Sequence, residues 1–123
     1  MKIYQFARIS ARCFPTIADL NNPWIFPKDV AVVVNVSQRY DEAIANKLMC
    51  RGVEYYHFPL DEEVNDIGWE NIKKAVKILL KFDKEDKRMV VHCISCYIAE
   101  FISFNTCYLV EFLGFHINPV IIE

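Results

Sequence analysis

The chain has 123 residues and a mass of 14.4 kDa, room for one domain of ordinary size and not for two. With 54% hydrophobic and 24% charged residues it is too apolar for a disordered tail and too charged to lie mostly in a membrane. A net charge of -2 and an isoelectric point near 5.9 exclude a general nucleic-acid binder that works through bulk positive charge, while a local site for a phosphorylated ligand needs only one or two cations.

In chain order, Met1-Lys2-Ile3-Tyr4-Gln5-Phe6-Ala7-Arg8 lacks the continuous apolar stretch of a secretory signal. Asn21-Asn22-Pro23-Trp24-Ile25-Phe26-Pro27 follows as an irregular loop. Val30-Ala31-Val32-Val33-Val34-Asn35-Val36 is a β-branched run, the pattern of a strand buried on both faces inside a parallel sheet. Residues 40–51 switch to helical spacing, with Ile44 and Leu48 four apart and Gly52 as the stop. A second strand over residues 53–58 ends at Pro59, and the acidic loop Leu60-Asp61-Glu62-Glu63-Val64-Asn65-Asp66 comes next. Trp69, Ile72, Val76 and Leu79 share one face of a helix running to about residue 82, with Lys73, Lys74, Lys77 and Lys81 outside it. Met89-Val90-Val91-His92 is a third short strand, and residues 98–113 form a helix, apolar almost all round, stopped by Gly114.

Alternating strands and helices specify an α/β domain, with a mostly parallel sheet flanked by helices. Ligands of such sheets bind at the carboxyl ends of the strands. That rule selects two segments, the loop from Pro59 to Asp66 and the turn that begins at His92-Cys93. A cysteine between a buried strand and a helix faces converging backbone N–H groups and the positive end of a helix dipole, which favour a thiolate. Cys93 is therefore a candidate nucleophile. From these two residues alone, a small apolar closure of the strand beside a core histidine is an equal reading.

The five cysteines, Cys13, Cys50, Cys93, Cys96 and Cys107, are odd in number and scattered. They suit reduced thiols in a cytoplasmic protein better than a disulfide framework. The longest uncharged apolar run here, between Glu100 and Glu111, is too short to span a bilayer. No metal site or cofactor is expected, because no second closely spaced pair of ligands accompanies His92, Cys93, Cys96 and Cys107. Cys93-Ile94-Ser95-Cys96 is formally a Cys-x-x-Cys and keeps open a thiol redox role.

Val90-Val91-His92-Cys93 after a long amphipathic helix, with Tyr56-His57-Phe58-Pro59-Leu60-Asp61 before that helix, resembles the cysteine-dependent protein tyrosine and dual-specificity phosphatases. The resemblance covers residues 30–93 and, more loosely, the helix that follows. It implies a phosphatase-like domain over residues 1–123 that takes a phosphorylated protein or a small phosphomonoester. In that family the Cys thiolate attacks phosphorus, an aspartate of the preceding acidic loop protonates the leaving oxygen, and water then hydrolyses the thiophosphate. By position, Cys93 is the nucleophile and Asp61 the general acid, with Asp66 second choice and more simply a helix cap.

The family's phosphate loop, Cys-x5-Arg, would run from His92 through Cys93, Ile94, Ser95, Cys96, Tyr97 and Ile98 to Ala99 and Glu100. Here Ala99 stands at the arginine position, Cys96 at the usual glycine, and Glu100 at the following hydroxyl residue. The guanidinium clamp so lost is commonly worth on the order of 10³-fold in rate. All 14 Lys and Arg residues precede position 89, so no nearby cation in the sequence replaces it. Loss of the motif, absence of basic residues and an early end of the chain coincide. A frameshift near codon 95 or a truncation accounts for all three, and the fold is expected to be incomplete at its carboxyl end. The resemblance thus implies an impaired or inactive phosphatase, or a non-enzymatic relic that keeps a phosphate-binding site.

Overall fold

A computed structural model describes residues 3–60, 69–94 and 97–111, without the side chains of Trp69, Tyr97 and residues 109–111. The element order is β1 (Ile3–Phe6), β2 (Ile9–Cys13), α1 (Ile17–Leu20), β3 (Val30–Asn35), α2 (Glu42–Cys50), β4 (Glu54–His57), α3 (Trp69–Lys84), β5 (Arg88–Cys93) and α4 (Tyr97–Glu111). The five strands form one sheet in the order β1-β2-β5-β3-β4. Only the β1–β2 hairpin is antiparallel; β2, β5, β3 and β4 run parallel. The α/β class and the mostly parallel sheet expected from the sequence are thus observed.

The valine run becomes β3 because its two faces meet different helices. Val32 and Val34 join Met89, Val91 and Cys93 under α3 and α4. Val33 and Val90 pack instead with Leu20 of α1 and with Ile44 and Leu48 of α2. A register shift between Val30 and Val32 places Val30 on the α1–α2 side with Val33, as a bulge does when it turns a side chain to the other face.

Local chemistry sets the helix ends. The Asp41 carboxylate accepts from the N–H groups of Ala43 and Ile44 at the start of α2. At its end, Gly52 takes a φ of 80°, which only glycine enters without strain. Helix α3 buries Ile72, Ala75, Val76, Leu79 and Leu80 and turns Lys74, Lys77 and Lys81 to solvent, the two-faced pattern read from its spacing. Helix α4 buries Ile98, Ala99, Ile102, Ser103 and Thr106 and leaves Phe101, Phe104 and Tyr108 exposed. Its burial is one-sided, and its exposed side still carries aromatic residues. The expected stop at Gly114 lies outside the described residues.

The amino-terminal hairpin and α1 were not among the expected elements. The hairpin turn lacks Asn-Gly or Asp-Gly and instead puts Ala7 at a φ of 52°. Helix α1 is a single turn, held by a capping box between Thr16 and Asp19. Among the described residues, no helix is long and apolar enough to cross a membrane.

Candidate functional site

Three parallel strands, β2, β5 and β3, end side by side at one edge of the sheet. Cys13 of β2 is the register partner of Cys93, and Asn35 of β3 is the partner of His92. The N–H of Val36 donates to His92 O at 3.0 Å, which fastens the loop after β3 to the end of β5. Phe58 N–H donates to Asn35 O and Leu60 N–H to Val36 O. The chain as far as Leu60 is therefore held at the same edge as Cys93. Asp61 and Asp66 themselves lie outside the described residues, as do Ser95 and Cys96.

Cys93 is the last residue of β5, with 0% exposure. Its Sγ accepts from the backbone N–H of Ala99 at 3.4 Å. Ala99 lies in the first turn of α4, whose N–H groups have no partner within the helix. The chain from Cys93 into α4 thus returns an amide to the sulfur from the position where the resemblance asks for an arginine. Ile94 is exposed, Ile98 and Ala99 are buried, and Glu100 is half-buried. The Ala99 side chain belongs to the core under α3 and α4.

His92 points to the other face of the sheet. It is 1% exposed, and neither ring nitrogen has a hydrogen-bond partner. Burial, followed by the nearby charges of Arg12 and His57, pushes its pKa down to about 3, so the ring is neutral under ordinary conditions. Phe14 stacks on it at 4.8 Å between centroids, and Tyr55 meets it edge-on at 6.1 Å. Packing, not polar bonding, holds this histidine.

Several polar residues that no local motif singled out surround it. Asn35 Nδ2 donates to Arg39 O at 2.8 Å and to the Tyr55 hydroxyl at 3.1 Å. Its Oδ1 accepts from the Ser37 N–H and hydroxyl at 2.9 and 2.7 Å. His57 Nε2 lies 2.7 Å from Ser37 O; a carbonyl only accepts, so that nitrogen carries the proton. Together these bonds pin residues 35–39 over the carboxyl edge of the sheet. On β2, the buried Arg12 donates through Nε to Ser10 Oγ at 2.8 Å and through its guanidinium to Ile25 O. Desolvation, then the charge of Arg88, lowers its pKa to about 10, and it stays charged at neutral pH. The one signal available in sequence was Asn35, a polar residue inside an apolar strand.

Among the described residues, no cluster of three His, Cys, Asp or Glu side chains is arranged to hold a metal ion. Among the described residues, Cys13 and Cys50 are free thiols.

No family model matches the chain, and no curated protein matches it in sequence. Solved structures do match it. A DUF442 protein of Shewanella putrefaciens CN-32, named as a candidate phosphatase, aligns over 91% of this chain and 73% of its own, with a TM-score of 0.69 and 17% identity. The core catalytic domain of the PP-IP phosphatase SIW14 from S. cerevisiae aligns over 75% of this chain and 55% of its own, with a TM-score of 0.59 and 18% identity. OH1 of the Orf virus, a tyrosine phosphatase, aligns over 91% and 62%, with a TM-score of 0.60 and 18% identity. The fold is that of the cysteine-dependent phosphatases. Cys93 ends β5, and α4 is the helix that follows it.

Proposed function

We propose that the chain is a phosphatase-fold protein whose site receives a phosphoryl group at Cys93, with turnover impaired by the missing arginine. The supporting observation is the hydrogen bond from Ala99 N–H to Cys93 Sγ, the contact expected of a loop that stabilises a thiolate and wraps an anion with amides. The substrate class is a phosphomonoester, carried by a protein or by a small molecule. Cys93 attacks phosphorus, Asp61 protonates the departing oxygen, and water cleaves the thiophosphate. Ala99 supplies an amide but no guanidinium, and Glu100 brings a negative charge to the first turn of α4. Both weaken the hold on a dianion at the transition state.

The full burial of Cys93 favours a second reading, a phosphate-site relic that does not turn over, because an in-line attack needs access to the sulfur. Hydrolysis of a small aryl phosphate separates the two. Slow turnover that disappears in Cys93→Ser supports the enzyme. Turnover that survives Cys93→Ser removes Cys93 as nucleophile, and absence of turnover in the parent chain leaves the relic.

A further inference from the structure

We infer that the amino edge of the sheet carries a binding cleft for a small aryl carboxylate, separate from the turn at Cys93 and independent of the phosphoryl site proposed there. Leu20, Asn21, Pro23, Phe26, Lys28 and Arg51 line a cleft of about 320 Å³, at the small end of the range for ligand pockets. Lys28 precedes β3 and Arg51 precedes β4, whereas Cys93 ends the parallel strand β5, so the cleft and Cys93 lie at opposite edges of the sheet. Strand β3 is six residues long, which separates the two edges by about 20 Å.

Buried side chains form the floor of the cleft, and hydrogen bonds fix its walls. Leu20 and Phe26 are buried and pack with Val30 and Val33. The Arg12 guanidinium carbon lies 5.3 Å from the Phe26 ring centroid, and the same guanidinium holds Ile25 O. The N–H groups of Ile25 and Phe26 donate to Asn22 O at 3.0 and 2.8 Å. Arg51 donates from one Nη to Leu20 O at 2.6 Å and from the other to Asn21 Oδ1 at 3.2 Å, so its charge is fixed at the cleft. Neither Arg51 nor Lys28 forms an ion pair among the described residues. The carboxylates adjacent in sequence are engaged elsewhere, since Asp19 accepts from the Thr16 N–H at 2.8 Å and Asp29 pairs with Arg88 at 3.2 Å. Two uncompensated cations beside an apolar floor suit an anion with a hydrocarbon body. Phe26 offers that body an aromatic surface, and Trp24, next to Pro23 in the chain, is 93% exposed and leaves a second one unused. With a bond already on each Nη, Arg51 no longer offers its full fork, and the cleft suits a singly charged carboxylate better than a phosphate dianion.

Amide NMR titration of the whole chain with hydrocinnamate and with the uncharged hydrocinnamyl alcohol tests the assignment. The expected result is saturable shifts at Leu20, Asn21, Phe26, Lys28 and Arg51 with hydrocinnamate, and binding about 10-fold weaker for the alcohol. Lys28→Gln should weaken hydrocinnamate severalfold and Lys28→Glu should weaken it further. The denaturant midpoint should be unchanged in both variants, because Lys28 is exposed. Equal affinity for acid and alcohol, or for the parent and Lys28→Glu, overturns the anion site. Absence of saturable shifts at these residues overturns the cleft altogether. Tighter binding of phenyl phosphate at the same residues overturns the choice of a carboxylate.

Discussion

His92 shows how far a residue's chemistry depends on what surrounds it. In the sequence it is half of a His-Cys pair; in the fold it is a neutral ring between Phe14 and Tyr55 with no polar partner. Its pKa, pushed down to about 3 by burial, lies below the ordinary value of 6.5. Between those two values the unfolded chain holds a proton that the folded chain lacks, so the unfolded state gains as pH falls. The stability contributed by neutral His92 is complete above about pH 6.5 and is lost progressively toward pH 3, with a slope of about 1.4 kcal/mol per pH unit at most. His92→Leu should flatten the acid limb of stability between pH 6 and 4, as read by urea unfolding at several pH values. An unchanged limb would mean that the carboxylates, not His92, control acid unfolding.

At the scale of elements, α3 carries the clearest link between spacing and energy. Leu79 is fully buried between the sheet and its own helix, and Leu79→Ala should lower stability by ~2–5 kcal/mol. Asp41→Ala removes the side-chain acceptor for two N–H groups at the start of α2 and should cost ~1 kcal/mol. Denaturant midpoints measure both, and equal losses would contradict the difference between a core contact and an exposed cap. The sequence made α3 legible because its apolar residues recur at three and four while lysines fill the rest. It hid the amino-terminal hairpin, whose turn residue Ala7 carries no turn signal and adopts its left-handed φ under the constraint of the paired strands. It showed α4 apolar on nearly every side but could not say which of those residues meet α3 and the sheet, and Phe101, Phe104 and Tyr108 are left exposed.

At the scale of the whole molecule, the missing arginine is a problem of packing as well as of charge. The Ala99 side chain is in the core, so Ala99→Arg must bury a long cation or push α4 outward. It should destabilise the chain by ~1–3 kcal/mol. Changing Glu100 to Ser at the same time removes the carboxylate beside the new guanidinium. The double variant should bind phosphate more tightly than the two single effects predict, because the two positions share one ligand. Its denaturant midpoint should then rise with added phosphate, by linkage of binding to folding. A midpoint indifferent to phosphate in the double variant would show that the turn between β5 and α4 is no anion cradle.

The sequence by itself determined the α/β class, the buried valine strand, the face of α3 and the placing of Cys93 at a strand-to-helix turn. These follow from periods of two and of three to four, which the chain carries locally. The meeting of Arg39 with Phe14 above His92, and the return of the Ala99 amide to Cys93, were decided only by tertiary structure. Arg39 and Phe14 come from loops on opposite sides of β5, and only the strand order β2-β5-β3 brings them together. The spacing of residues along a chain says where a strand ends, and the order of strands in the sheet decides whose side chains share that end.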